Sequence, residues 1–371
     1  MTEPVVRNRL FPFFETLIQQ GYKVRCVCPQ SDFSTEQLPE GVTLDCVGID
    51  FVKPNSFVKR AIKEARDVAS LLKHAGKLSS DVFLVTLPSM FLAFFAPYYL
   101  RKRKVVMDVR DLSWEYLSDT SLVQRLAKRF FRLLFKRSAH FFPLITATNS
   151  TEVDYLQRIT DKQKLLHVSN GIRREQFSEL KKITGSKEQR FTVSYIGNMG
   201  LAQQLTTLVE AARELPAIQF NLVGAGIDEP RIKDLIQKYK LQNITLTGRV
   251  TWQEVLFYYN ASHVLYAQLA PEYSGAMPSK LYEYLSTGKA IVYGGQGQAV
   301  KTLNEFENCF VVSPCNTSAL VTLLIRLQSA PGDLQLSESN QTKIEECYIR
   351  EDAAKLMVAE TDKLIEPKLN W

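Results

Sequence analysis

The sequence predicts an α/β protein built from two doubly wound domains in series, and three observations carry that prediction. Short apolar runs alternate with helical segments along the chain, which implies parallel sheets covered by helices on both faces. The alternation breaks in a polar, charged stretch, Arg173 to Gln189, and restarts at Phe191. The length, 371 residues, suits two domains of ordinary size. With 45% hydrophobic and 23% charged residues, disorder, collagen and coiled coil are excluded for most of the chain.

The elements follow in order. Asn8 to Gln20 reads as a helix, Lys23 to Cys28 and Val42 to Val47 as strands, and Phe57 to His74 as a helix. A sheet of this type opens with a central strand and a glycine-bearing loop, and here the first element is already a helix. The first strand of the N-terminal domain is therefore missing from the pattern. Alternation in VRCVCP puts Cys26 and Cys28 on one strand face, as buried free thiols; six cysteines in all point to a reducing compartment. TEPVVRNRLFPFF has neither the apolar core nor the small-residue site of a signal peptide.

Val82 to Leu100 is uncharged over 19 residues, long enough to span a membrane. Pro88 and Pro97 interrupt any single helix there, because proline removes an amide donor and clashes with the preceding turn. The segment reads instead as a strand at Val82 to Thr86, a turn at Leu87-Pro88-Ser89 and a helix from Met90 to Tyr99. Val105 to Val109 and Leu144 to Thr148 are further strands. After the restart, Phe191 to Gly197 is a strand, Thr206 to Leu215 a helix and Phe220 to Gly224 a strand. Glu229 to Tyr239 and Gln253 to Tyr259 are helices, and Ile244 to Leu246, Val264 to Leu269 and Ala290 to Tyr293 strands. Asp352 to Leu364 is the last helix. The domains divide as 1–172, a linker 173–189, 190–345, and a closing segment 346–371 that crosses back to the first domain.

The formal charge of +7 is unevenly placed. Residues 1–170 hold 25 Lys and Arg against 17 Asp and Glu, a net of +8, whereas 171–371 hold 21 against 22. Leu122 to Arg137 contains Arg125, Lys128, Arg129, Arg132, Lys136 and Arg137 and no acid, with Leu122, Leu126, Phe130, Leu133 and Leu134 at helical spacing and Phe131 and Phe135 broadening the apolar face. Two readings stand open: a helix lying in an anionic bilayer interface, and a core helix with a solvated basic back. No aromatic-studded basic motif suggests nucleic acid.

Gly197-Asn198-Met199-Gly200 joins a strand to a helix, the geometry that lets a backbone and a helix N-terminus hold a diphosphate. Its Gly-x-x-Gly spacing is not the dinucleotide fingerprint. Gly224-Ala225-Gly226 ends the next strand in the same way, and both loops belong at the carboxyl ends of strands, where doubly wound sheets bind ligands. In PEYSGAMPSKLYEYLSTGKAIVYGG, Pro278 suits a first helical turn and Gly288 ends the helix. Lys280 and Glu283 stand three apart and so share a face. Lysine there can neutralise a phosphate and glutamate accept from a ribose diol; a surface ion pair is the other reading. His74, His140, His167 and His263 fall in no catalytic or metal motif and read as structural. No Asp-x-Asp motif is present to hold a metal.

This stretch closely resembles the carboxy-terminal signature of retaining glycosyltransferases of family four, which have the GT-B fold of two Rossmann-like domains facing a central cleft. The resemblance extends along nearly the whole chain. Arg9 to Phe14 with Gly21-Tyr-Lys-Val, Ser169-Asn170-Gly171-Ile172, Thr247-Gly248-Arg249-Val250 and the Tyr348-Ile-Arg350-Glu351 helix are similar to family segments. Met107-Asp108-Val109-Arg110-Asp111-Leu112 resembles the branch acting in bacterial surface-polysaccharide (O-antigen and capsule) synthesis. The resemblance implies that Glu283 binds the nucleotide ribose and that Gly197, Asn198, Gly200 and Lys280 hold the diphosphate. It places Gly224 and Gly226 in the donor site, Arg249 and Val250 at the base, and Tyr273, Ser274 and Gly275 beside the donor sugar. Arg110 and Asp111 face the acceptor side.

Where many members carry the first of two glutamates, this chain has Gly275, with Glu272 the nearest acid; Gln203 and Gln204 replace a usual basic residue. The resemblance further implies a hexosyl- or N-acetylhexosaminyltransferase that needs neither metal nor cofactor. Its co-substrate is a nucleotide diphosphate sugar, a UDP-sugar. Its acceptor is a lipid-linked saccharide at the cytoplasmic face of the cell membrane. A nucleotide-sugar 2-epimerase on the same fold and a catalytically inactive binding subunit are the alternatives.

Overall fold

A computed structural model of the chain describes residues 10–29, 38–49, 57–87, 89–110, 112–117, 121–161 and 164–365. The chain divides into two compact units, Met1–Asn170 with Arg350–Trp371, and Gly171–Ile349.

Unit 1 begins with α1 (Phe11–Gln19), whose Pro12 occupies an early position where its missing amide costs nothing. There follow β1 (Val24–Pro29), β2 (Val42–Val47), α2 (Phe57–Ala75), β3 (Val82–Thr86), α3 (Met90–Tyr99), β4 (Lys104–Val109), α4 (Leu122–Ala139), β5 (Leu144–Ala147), α5 (Ser150–Gln157) and β6 (Leu165–His167). β1 and β2 form a two-stranded parallel sheet, and β3-β4-β5-β6 a separate four-stranded parallel one. β4 shows why most residues of these strands are apolar. Val105, Met107 and Val109 face a core with α2, α3 and α4, while Val106 faces another built on α1. The uncharged Val82–Leu100 stretch is β3 and α3, with Pro97 inside the helix. No described helix is long and apolar enough to cross a membrane.

Unit 2 takes in much of the stretch read as a linker. That stretch carries α6 (Arg174–Leu180), whose Phe177 and Leu180 are buried in this unit's core. A charged sequence hid two well-spaced apolar anchors. The unit continues with β7 (Thr192–Ile196), α7 (Thr206–Glu214), β8 (Gln219–Val223), α8 (Glu229–Lys238), β9 (Ile244–Gly248), α9 (Trp252–Ala261) and β10 (Val264–Gln268). It ends with α10 (Lys280–Ser286), β11 (Ala290–Gly294), α11 (Gln298–Leu303), β12 (Cys309–Val312), α12 (Thr317–Gln328) and α13 (Glu338–Cys347). Its six-stranded parallel sheet has the order β12-β11-β10-β7-β8-β9. This is a doubly wound sheet whose winding reverses between β7 and β10, the place where such sheets open a crevice for ligands. After α13 the chain returns to unit 1 with α14 (Arg350–Ile365), which packs on α1 through Met357 and Val358.

Candidate functional site

The reversal point in unit 2 is lined by the loop after β7, the loop after β8 and α10. The two glycine loops are fastened to each other. Gly197 N donates to Val223 O at 2.8 Å, and Met199 N to Ala225 O at 3.0 Å. A side chain on Gly224 would place Cβ 2.1 Å from Gly197 O, and one on Gly226 2.2 Å from Met199 O. Gly224 and Gly226 thus let the second loop pack closely against the backbone of the first. The first loop leads to the expected helix through a short turn. A 3-10 turn at Leu201–Gln203 intervenes and α7 starts at Thr206. The Gly200 amide donates to Gln203 Oε1 at 3.0 Å, a bond from the residue three positions on that caps the start of this turn. Asn198 is exposed at the tip.

The helix α10 brings Lys280 and Glu283 to this loop. Its register is set by Tyr284, wholly buried, whose hydroxyl accepts from Ile196 N at 2.8 Å and is 3.1 Å from Ile196 O and 3.2 Å from Tyr266 O. One phenol thereby ties the helix to the carboxyl end of β7 and to the middle of β10. Lys280 then lies against Gly197, where a Cβ would meet its Nζ at 2.8 Å. Its ammonium donates to the Tyr195 hydroxyl and sits 3.7 Å from that ring's centroid. The Tyr195 hydroxyl donates in turn to Asn198 O. Burial lowers Lys280 to about 7, partly offset by the Glu283 carboxylate. Burial alone raises Tyr195, so the phenol stays protonated. Glu283 accepts from the buried Tyr259 hydroxyl at 3.0 Å. The result is a loop of backbone, a buried lysine and a fixed carboxylate, which together suit a phosphorylated ligand bearing hydroxyls.

The remaining expected residues lie elsewhere in the two units. Arg249 is exposed and Val250 half-buried, in the turn between β9 and the Thr251–Glu254 capping box of α9. Tyr273 is exposed at the end of a 3-10 turn after β10; Ser274 and Gly275 are half-buried, and Ser274 O accepts from Gln298 N at 2.8 Å. Ala270 N donates to Ala202 O at 2.8 Å and ties this turn to the first glycine loop. In unit 1, Arg110 Nε donates to Asp108 Oδ2 at 2.5 Å, and the buried Asp108 also accepts from Thr86 and Thr146. This pair holds Arg110 at the end of β4, and Asp111 lies outside the described residues. Sequence reasoning missed Tyr195, Tyr259 and Tyr284. For Tyr195 the available signal was a tyrosine inside an otherwise apolar strand, which must find a partner for its hydroxyl; Tyr259 and Tyr284 lie in helices and gave no such signal.

The basic helix α4 has two apolar stripes rather than the single face expected. Phe131 stacks on Phe94, and Phe135 packs at a tilt against the buried Trp114, toward the core. Leu122, Leu126, Phe130 and Leu133 lie on the other side, each more than half exposed. Lys128, expected to face a membrane, is instead buried and paired with Glu115 Oε2 at 3.8 Å. Glu115 also holds exposed Arg132 through both carboxylate oxygens, at 2.7 and 2.5 Å. Arg125, Arg129, Lys136 and Arg137 are exposed beside the outer stripe.

Comparison with known proteins bears on the same regions. Residues 176–343 match the family model described as glycosyl transferases group 1. No curated protein matches the sequence. Among solved structures, sucrose-phosphate synthase from Thermosynechococcus elongatus superposes with a TM-score of 0.73 at 17% identity, over 95% of this chain and 91% of that one. Anabaena Alr3699/HepE, solved with UDP and glucose, gives 0.66 at 14% identity over 98% of each chain. The lipopolysaccharide outer core galactosyltransferase WaaB gives 0.58 at 14%, over 90% of this chain and 88% of that one. The chain has the α/β architecture of the GT-B glycosyltransferases, two Rossmann-like units, and from residue 176 to 343 it matches their group 1 family.

Proposed function

We propose that the protein is a retaining glycosyltransferase that moves a sugar from a UDP-sugar to a lipid-linked saccharide, in cell-surface polysaccharide synthesis at the inner membrane face. The observation that carries the donor half is the cluster of Gly197, Lys280 and Glu283 at the reversal point of unit 2. In this reading Lys280 meets the diphosphate and Glu283 the ribose hydroxyls. The leaving phosphate takes the acceptor proton, so the protein's part is positioning and charge stabilisation, with no metal or further cofactor. The similar Anabaena protein was solved with UDP. A 2-epimerase needs acid–base groups at the sugar, and the one histidine of unit 2, His263, accepts from Thr192 N at the opposite end of β7.

The test is calorimetric titration of UDP, followed by UDP release from a UDP-sugar with and without a lipid-linked acceptor. Glu283→Ala is expected to weaken UDP binding about tenfold to hundredfold, the loss of one charge-assisted contact, and to lower acceptor-dependent turnover. Sugar-nucleotide isomerisation without acceptor would replace this reading with the epimerase. Full pathway output from Glu283→Ala would replace it with an inert subunit.

The acceptor half rests on α4, whose outer apolar stripe and flanking cations suit an anionic bilayer. Phe130→Asp with Leu133→Asp is expected to lower binding to phosphatidylglycerol vesicles at least ~10-fold, since each large apolar side chain contributes ~1.5–3 kcal/mol when fully buried. Sedimentation with vesicles measures it. The unfolding midpoint should stay put, because both side chains already face solvent.

A further inference from the structure

The strand β10 ends on a glutamine, Gln268, after Val264-Leu265-Tyr266-Ala267, and is buried along its whole length. Only 2% of Gln268 is exposed, so both ends of its amide need partners inside the protein. Nε2 lies 2.8 Å from Gln204 O, 3.1 Å from Gln203 O and 3.2 Å from Thr207 Oγ1, and donates to them. Oε1 accepts from the Tyr266 hydroxyl at 2.8 Å and from Cys315 N at 3.1 Å. The partners fix which way the amide points, because main-chain carbonyls only accept and a main-chain amide only donates. Gly294, its neighbour on β11, leaves the space for it: a Cβ there would stand 2.7 Å from Gln268 Oε1.

These partners belong to the segment that shapes the first glycine loop. Gln203 and Gln204 close the 3-10 turn after Gly200, and Gln204 has φ +44°, a left-handed conformation that side chains disfavour. The Gln203 side chain accepts from the Gly200 amide while its carbonyl is held by Gln268. Thr207 lies in the first turn of α7, and Cys315, left-handed at φ +58°, in the loop after β12. One amide thus ties the end of β10 and the loop after β12 to the turn that follows β7. We propose that Gln268 is a positioning residue for sugar transfer, one that touches no ligand and acts through Gln203 and Gln204 to fix the Gly197–Gly200 loop against the diphosphate. The inference rests on the donor reading given above. Methionine would fill the same space with neither donor nor acceptor, and glutamate would set a carboxylate against two carbonyls.

The test uses the full chain with Gln268→Met, which keeps the volume, and with Gln268→Glu. Affinities for UDP and for uridine are measured, and amide hydrogen exchange is followed in residues 199–207 and, as a control for folding, in β8 and β11. Gln268→Met is expected to weaken UDP about tenfold, as the loss of one or two hydrogen bonds allows. Uridine, which has no diphosphate, should keep its affinity. Exchange in 199–207 should quicken at least ~10-fold with β8 and β11 unchanged. Gln268→Glu can donate only while protonated, so the ratio of native to variant UDP affinity should grow between about pH 5 and pH 8. Lys280 and the ligand's own ionisation cancel in that ratio. The ionisable groups beside position 268, Tyr266 and Cys315, are both raised by burial and stay protonated in that range. This series decides the matter if the methionine variant does not fold. Equal weakening of UDP and uridine, unchanged UDP affinity, unchanged exchange in 199–207 or a ratio level with pH would overturn the positioning role in a protein that binds UDP. Native protein that binds no UDP would instead overturn the donor reading, and the positioning role with it.

Discussion

Gly224→Ala is expected to destabilise unit 2 by about 4 kcal/mol, through two effects that act together. The residue sits at φ +129°, a conformation that side chains rarely adopt, and strained backbone of this kind costs about 1–3 kcal/mol. The added Cβ would also stand 2.1 Å from Gly197 O, a backbone atom with nowhere to retreat, and overpacking costs about 1–3 kcal/mol more. Gly248 separates the two terms. It too has positive φ, +70°, but nothing lies within 4 Å of its Cβ position, so Gly248→Ala should cost only about 1–2 kcal/mol. Urea unfolding followed by hydrogen exchange in β7 and β8 measures both variants. Gly224→Ala should also weaken UDP, because the atom it displaces belongs to the loop that faces Lys280. Equal costs for the two substitutions would mean that the loops are not fastened as described.

The fold was largely legible because its strands are short and mostly apolar while most of its helices carry charged residues, so alternation separates them. Boundaries such as Val42–Val47 and Val82–Thr86 coincide with the expected ones. Legibility failed where a residue's task is set by a distant partner. Lys280 and Glu283 were readable as one helix face, because spacing of three is local. That the face is pinned by Tyr284 to Ile196, 88 residues earlier, is a tertiary fact with no periodic signature. The same holds in α4. The helix has no acid of its own, so six cations looked unopposed, yet Glu115 comes from a turn outside it and takes two of them. Its apolar residues were counted as one face because core burial and outward exposure have the same composition; only packing against Phe94 and Trp114 distinguishes Phe131 and Phe135 from Phe130 and Leu133. Gly224 and Gly226 were legible as special but not in what they meet, since a glycine signals close approach without naming the partner.

UDP binding is expected to weaken about tenfold for each pH unit above 7, and Lys280→Met is expected to remove that dependence. Burial brings Lys280 down to about 7 from an ordinary 10.5, so above pH 7 the free protein holds a neutral amine against Tyr195. A bound diphosphate favours the ammonium and raises its pKa again. Binding above pH 7 must therefore take up one proton, and affinity falls with pH until the raised value in the complex is reached. Working above pH 7 keeps the phosphate's own ionisation, near ~6, out of the slope. Calorimetry in two buffers of different ionisation enthalpy counts the proton directly: about one taken up per UDP at pH 8 for the native protein and none for Lys280→Met. Stability runs the other way, because between pH 7 and 10.5 the unfolded chain holds a proton on this lysine that the folded one lacks. Unit 2 should therefore gain stability as pH rises through that window, and Lys280→Met should flatten the gain. A native affinity that stays level from pH 7 to 9 would show that the lysine is charged before the ligand arrives, and that the phenol of Tyr195 rather than burial governs it.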